Sequence, residues 1–171
     1  DWEILQDWNA ADARWILYHY LLSCFNFDAV FFTDATDVTV RNNPFPHITD
    51  DTLYCGDEIG QPSGDCSVAH PWLQDIVQQR GTPAMERLFR EQPGLPLLNC
   101  GVVGGRRDVL LDFFRVLMLA GFQNYEKIVD MAFFNYALYS GLFSHRVVHG
   151  QPVTSVYKQY QNRDDVWFIH K

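Results

Sequence analysis

The chain has 171 residues, and its 13 Lys and Arg against 21 Asp and Glu leave a formal net charge of −8 at pH 7. A hydrophobic share of 47% with 15% aromatics is enough apolar material for a real core, which excludes intrinsic disorder as the main state. The length fits one domain or a large piece of one. The acidic balance argues against a nucleic-acid binder, whose affinity rests on basic neutralisation of phosphates, and no apolar run reaches the ~20 residues of a membrane span.

Between Ala10 and Phe25 the residues Ala13, Leu17, Tyr20, Leu21 and Cys24 recur at spacings of three and four, which predicts a helix capped near Asn9. Phe27 to Thr33 is a short apolar run ending in acidic residues and reads as a buried strand of a parallel sheet. Asn42-Asn43-Pro44 marks a turn, Leu53 to Cys55 a short strand, and Gly56 to Val68 a loop rich in Gly, Pro, Ser and Asp. Helices are expected over Pro71 to Arg80 and Thr82 to Arg90, with Gly81 as punctuation. After the break at Gln92-Pro-Gly-Leu-Pro, Leu97 to Gly104 reads as a second buried strand. Asp108 to Ala120 carries a wide apolar stripe at helical spacing, Asp130 to Tyr139 is a further helix, and Arg146 to His149 and Val166 to Ile169 are late strands. Strands interleaved with helices predict a three-layer α/β/α fold with a mostly parallel sheet, and no repeat or linker divides residues 1–171 into two domains. The four cysteines Cys24, Cys55, Cys66 and Cys100 have no zinc spacing. They read as reduced thiols, buried at Cys24 and Cys100, with a local Cys55–Cys66 disulfide as the alternative.

The most informative segment is Phe31-Phe-Thr-Asp-Ala-Thr-Asp37. Two carboxylates, Asp34 and Asp37, leave the end of an apolar strand, where paired oxygen ligands suit a hard divalent cation that also holds substrate phosphates. The other reading is that both cap the following turn.

The stretch FDAVFFTDATDVTVRNNPF resembles the acidic metal motif of the GT-A-type nucleotide-sugar-dependent glycosyltransferases, in its DxxD variant followed by an NPF turn. Three further segments follow in the family's order. Leu98-Asn-Cys-Gly-Val-Val-Gly104 resembles its hNxGhh strand, Asp130-Met-Ala-Phe-Phe-Asn135 its DQxxxN helix start, and Trp167-Phe-Ile-His-Lys171 its late hhH segment.

The resemblance implies a GT-A-like domain that moves a sugar from a nucleoside-diphosphate sugar, a UDP-sugar in particular, to the hydroxyl of a carbohydrate or glycosylated acceptor, with Mn2+ or Mg2+ as cofactor. It implies a metal set of Asp34, Asp37 and His170, with His149 as the rival histidine. Arg14, Asp34, Asn99, Gly101 and Lys171 would bind the donor, and Asp130 or Glu58 would serve as the base on the acceptor. The aromatics Trp72, Tyr157 and Trp167 are candidates for stacking on sugar rings. Two features depart from the family pattern: Met131 stands where Gln is common, and only some 33 residues precede Asp34, where the fold normally places a first βαβ unit. The expectation is therefore an N-terminally truncated fragment. Two other classes compete: a degenerate sugar-binding domain without turnover, and an aspartyl-nucleophile phosphatase, whose chemistry wants a DxD spacing that this chain lacks.

Overall fold

The computed structural model describes residues 10–58, 66–121, 130–159 and 161–171. In chain order it comprises α1 (Ala10–Cys24), β1 (Ala29–Thr33), β2 (Val38–Val40), a 3-10 turn (Phe45–His47), β3 (Thr52–Asp57), α2 (Pro71–Arg80), α3 (Pro83–Glu91), β4 (Leu98–Arg106), α4 (Arg107–Gly121), α5 (Asp130–Tyr139), β5 (Arg146–His149) and β6 (Phe168–His170). The expected cap at Asn9 and most of the loop between Gly56 and Val68 lie outside the described residues.

The mixed α/β character is as expected, but the sheet is not mostly parallel. Its order is β1-β4-β3-β5, with β1 and β3 antiparallel to β4 and only β3 and β5 parallel. The run Phe27–Thr33 suggested a parallel strand because apolar residues occupy both of its faces. Both faces are indeed used, yet β1 is a half-buried edge strand. Phe32 stacks on Tyr18 of α1 with ring centroids 4.0 Å apart, while Phe31 lies on the opposite face, 5.0 Å from Phe168.

The layers differ from α/β/α for the same reason. One face of the sheet packs on helices, in a core that includes Trp15, Leu53, Val103, Phe113, Phe114 and Phe134. The other face is covered by the two-stranded β2–β6 sheet and its approaches, through Tyr54, Val102, Trp167 and Phe168. Gly104 pairs with Phe31 in the β1–β4 ladder, and a Cβ there would collide with the Phe31 ring. Glycine thus lets this aromatic lie flat across the sheet.

Helix α1 forms where predicted, but it presents another face. Ala13, Trp15 and Leu22 are its buried residues, whereas Tyr20, Leu21 and Cys24 are exposed. Apolar residues surround this helix on most sides, so periodicity identified the helix without choosing its core side. The other three cysteines are buried, and all four are free thiols. Strand β4 is buried along almost its whole length, and Asn135 of α5 clamps its start. The Leu98 amide donates to Asn135 Oδ1 and Asn135 Nδ2 donates to the Leu98 carbonyl, both at 2.9 Å. This clamp fixes α5, and with it Asp130, against the part of β4 that carries Asn99 and Gly101. No helix among the described residues is long and apolar enough to cross a membrane.

Candidate functional site

Antiparallel pairing assembles the site. Because β1 and β4 run in opposite directions, the end of β1 meets the first half of β4, and the Asp34 amide donates to the Gly101 carbonyl at 2.8 Å. The β3–β4 register slips at this place: Cys55 pairs with Val103, but Gly56 pairs with Asn99. Of the intervening residues of β4, Cys100 and Gly101 line the site, while Val102 is buried in the core on the opposite face. Asp37 directly precedes β2, whose Val38 pairs with His170 of β6, and the Lys171 amide donates to the Asp37 carbonyl at 2.8 Å. Register therefore brings the distant His170 beside both aspartates. Ser155 holds it from behind, its hydroxyl accepting from the His170 amide at 2.9 Å.

Asp34, Asp37 and His170 each offer one ligand atom, and these atoms lie within 4.8 Å of one another. His170 is 1% exposed, and neither of its ring nitrogens has a hydrogen-bond partner among the described residues; the same holds for Asp37 Oδ1. The closest approach, His170 Nε2 to Asp37 Oδ2, is 3.8 Å, too long for a hydrogen bond. Burying such groups unpaired costs on the order of 1–3 kcal/mol each. Ligand atoms at about 2.1 Å from a shared divalent ion stand roughly 3–4.2 Å apart; the His170–Asp37 pair at 3.8 Å lies in that range, and the set as a whole, within 4.8 Å, would have to tighten slightly around one cation. Burial lowers the His170 pKa, against the opposing pull of Asp37, Asp34 and Glu58, and the neutral imidazole is the form that ligates. Gly101 leaves the necessary room, for a Cβ there would strike the His170 ring, with Asp34 Oδ2 at 2.7 Å and Asn99 Oδ1 at 2.9 Å.

Arg14 joins this set to a second carboxylate. It donates to Asp34 Oδ1 at 2.7 Å, to Asp130 Oδ2 at 2.9 Å and to Cys100 Sγ at 2.9 Å, and its guanidinium lies over the Trp15 ring. Burial opposes its charge, but the carboxylates Asp130 and Asp34 favour it, and its pKa is raised. The Cys100 thiol is pushed well up by burial and then by Asp130, so it stays protonated. Asp130 is also held at its own helix start, accepting from the Met131 amide at 2.8 Å. Asn99 donates to Glu58 Oε2 at 2.8 Å and accepts from the Gly101 amide at 2.6 Å.

These groups share a cleft of about 610 Å3 whose walls carry Arg14, Asp34, Glu58, Asn99, Gly101, Asp130 and His170. Three expected residues are placed differently. His149, the rival ligand, is hydrogen-bonded to Asp57 at 2.6 Å and belongs to no ligand cluster among the described residues. Lys171 is exposed and not among the cleft walls. Trp167 is buried and stacks on His47, so it is a core residue, whereas Trp72 and Tyr157 do line the cleft. Sequence reading missed Cys66, His70, Cys100 and Lys158 as cleft residues. Alternation along β4 relates Cys100 to its neighbours, but nothing local signals Lys158, whose place depends on how the chain returns to β6.

No family model matches the chain, and no curated protein matches it.

Proposed function

We propose that the chain is a metal-dependent glycosyltransferase-like domain that binds a nucleoside-diphosphate sugar in this cleft and transfers its sugar to an acceptor hydroxyl. The observation that carries the reading is the buried, unpaired imidazole of His170 facing two carboxylates at the edge of a cleft that also holds Arg14. Three carboxylates line the cleft (Asp34, Glu58 and Asp130) against Arg14 and Lys158, and Asp37 of the ligand set adds a fourth beside it, an excess of two negative charges.

Asp34, Asp37 and His170 would hold Mn2+ or Mg2+. When bound, the ion would supply electrostatic stabilisation of charge on a departing diphosphate. The chain's own groups do the rest. Arg14 fixes the Asp34 carboxylate toward the ligand set and adds a second positive centre to the same wall. Asn99 orients Glu58, and Gly101 permits close approach to the backbone at the cleft floor. Asp130 and Glu58 are the two carboxylates able to take a proton from an acceptor hydroxyl. Asp130 is the better oriented, through its contacts with Arg14 and the Met131 amide.

The test is incubation with Mn2+ and a panel of nucleotide sugars, following release of nucleoside diphosphate. Metal-dependent release that disappears in Asp37→Asn supports the reading. Absence of both binding and turnover across the panel, in protein shown to be folded, overturns it. Donor binding without turnover favours a sugar-nucleotide-binding domain instead.

A further inference from the structure

Away from the cleft, one histidine joins three elements. His145 ends the connection between α5 and β5, and both of its ring nitrogens meet carboxylates. Nδ1 is hydrogen-bonded to Asp51, in the turn before β3, and Nε2 lies 3.3 Å from Asp112 Oδ2 on α4. The surrounding residues hold this contact in place. Phe143 is buried against Phe113 of α4, with ring centroids 5.3 Å apart, and stands 5.1 Å from the His145 ring. The amide of Arg146, which follows in the chain, donates to the Asp51 carbonyl at 3.1 Å, where β5 begins to pair with Thr52.

Such a bridge requires a proton. A neutral imidazole has one N–H and one lone pair, so it donates to one carboxylate and turns its lone pair on the other, whereas the imidazolium donates to both. The neighbouring charges are engaged with one another. Arg115 donates to Asp112 Oδ1 at 3.0 Å, leaving Oδ2 for His145, and Asp50, beside Asp51, accepts from Arg106 at 3.1 Å. On α1, His19 has its pKa lowered by burial and then by Arg115. Burial opposes the charge on His145 too, but its hydrogen bonds to Asp51 and Asp112 prevail and its pKa is raised. The side chain is 22% exposed, so it exchanges protons with solvent.

We propose that His145 is a proton-operated latch: charged, it fastens the α5–β5 connection to α4 and to the start of β3, and on losing its proton it releases that connection. The latch sits at the start of the parallel strands β3 and β5, whereas Glu58 of the cleft follows the end of β3, so the inference does not depend on the donor reading. The folded-state pKa is the higher one. The latch therefore contributes fully below about pH 6.5 and is lost as pH rises through the folded-state value. The release is local, a opening of one connection rather than of the core.

The experiment is hydrogen exchange of residues 140–147 in the full chain, read by mass spectrometry at pH 6 and pH 8 and corrected for the chemical pH dependence of exchange, alongside NMR titration of His145. Wild-type protection of this segment should fall about two- to fivefold between the two pH values, the worth of an exposed ion pair, while α2 and α3 keep theirs. In Asp112→Asn the carboxamide can donate to the neutral ring. Protection should then be equal at both pH values, and the His145 midpoint should drop below that of wild type. His145→Gln should show the weaker, pH 8 level of protection throughout. A His145→Gln protein that keeps the wild-type pH response assigns that response to another group, such as His149, and overturns the inference. Equal wild-type protection at pH 6 and pH 8, or a His145 midpoint unmoved by Asp112→Asn, overturns it as well.

Discussion

Adding one methyl group at Gly101 tests the candidate metal centre without removing any ligand. A Cβ at this position would strike the His170 ring and lie 2.7 Å from Asp34 Oδ2 and 2.9 Å from Asn99 Oδ1. A carbon and an oxygen in ordinary contact stand roughly 3.3 Å apart, so the Asp34 carboxylate must retreat by about 0.6 Å. Ligand distances in metal sites are held to about 0.2 Å. The imidazole cannot yield easily either, because its backbone is bound to Ser155 and its ring packs on Tyr157. Gly101→Ala should therefore lower Mn2+ affinity at least tenfold and cost about 1–3 kcal/mol of stability, the usual range for overpacking a tight interior. Gly94→Ala is the control, since a Cβ there meets nothing within 4 Å. It should leave metal affinity unchanged and stability within about 0.5 kcal/mol. The assay is calorimetry with Mn2+ alongside thermal unfolding followed by circular dichroism. A folded Gly101→Ala protein with wild-type Mn2+ affinity would refute the assignment of Asp34 and His170 to one ion.

Two other outcomes are expected. Asn135→Ala strands the Leu98 amide and carbonyl in a buried place, so it should destabilise the protein by about 2–4 kcal/mol, readable from urea midpoints at unchanged m-value; a loss under about 0.5 kcal/mol would show that the clamp is dispensable. His149 has its pKa raised by the hydrogen bond to Asp57, with burial opposing, so the pair's contribution to stability is full below about pH 6.5 and is lost as pH rises through the folded-state value. Asp57→Asn should flatten the fall of melting temperature between about pH 6 and pH 8, and an unaltered slope would assign that fall to other groups.

Element positions were readable from the chain because the helices have strong punctuation. Pro71 and Gly81 bound α2, and Thr82 caps α3 by accepting from the Met85 amide. Strand direction was not readable. An apolar run such as AVFFT shows that both faces are covered, but helices and a second small sheet bury phenylalanine equally well. Strand β2 went unnoticed because it has three residues, two of them exposed, and its identity comes from pairing with β6. The same pairing explains why the site was only partly legible. Asp34 and Asp37 stand out locally at a strand end, whereas choosing His170 over His149 required a match to an external pattern. In the fold the two histidines are separated by partner: one ends β5 against Asp57, and the other ends β6 opposite Val38.

Arg14 is the cation that ties two of the cleft's carboxylates together. It lies one residue before Trp15, whose burial in the helical core fixes its position, and it reaches carboxylates that are 20 and 116 positions away in the chain. A largely buried guanidinium is tolerable only with partners of opposite charge, and two carboxylates on one cation remain short of cations if a third and a fourth stand nearby. The remaining deficit lies on the side of Asp37 and His170, where polar atoms are buried and unpaired. A divalent ion placed there would satisfy those atoms and bring the cleft to near neutrality. Arg14 and Lys158 are the arginine and lysine among the described cleft residues. On the donor reading proposed above, the walls without the ion would repel a diphosphate, so donor binding is expected to depend on metal loading.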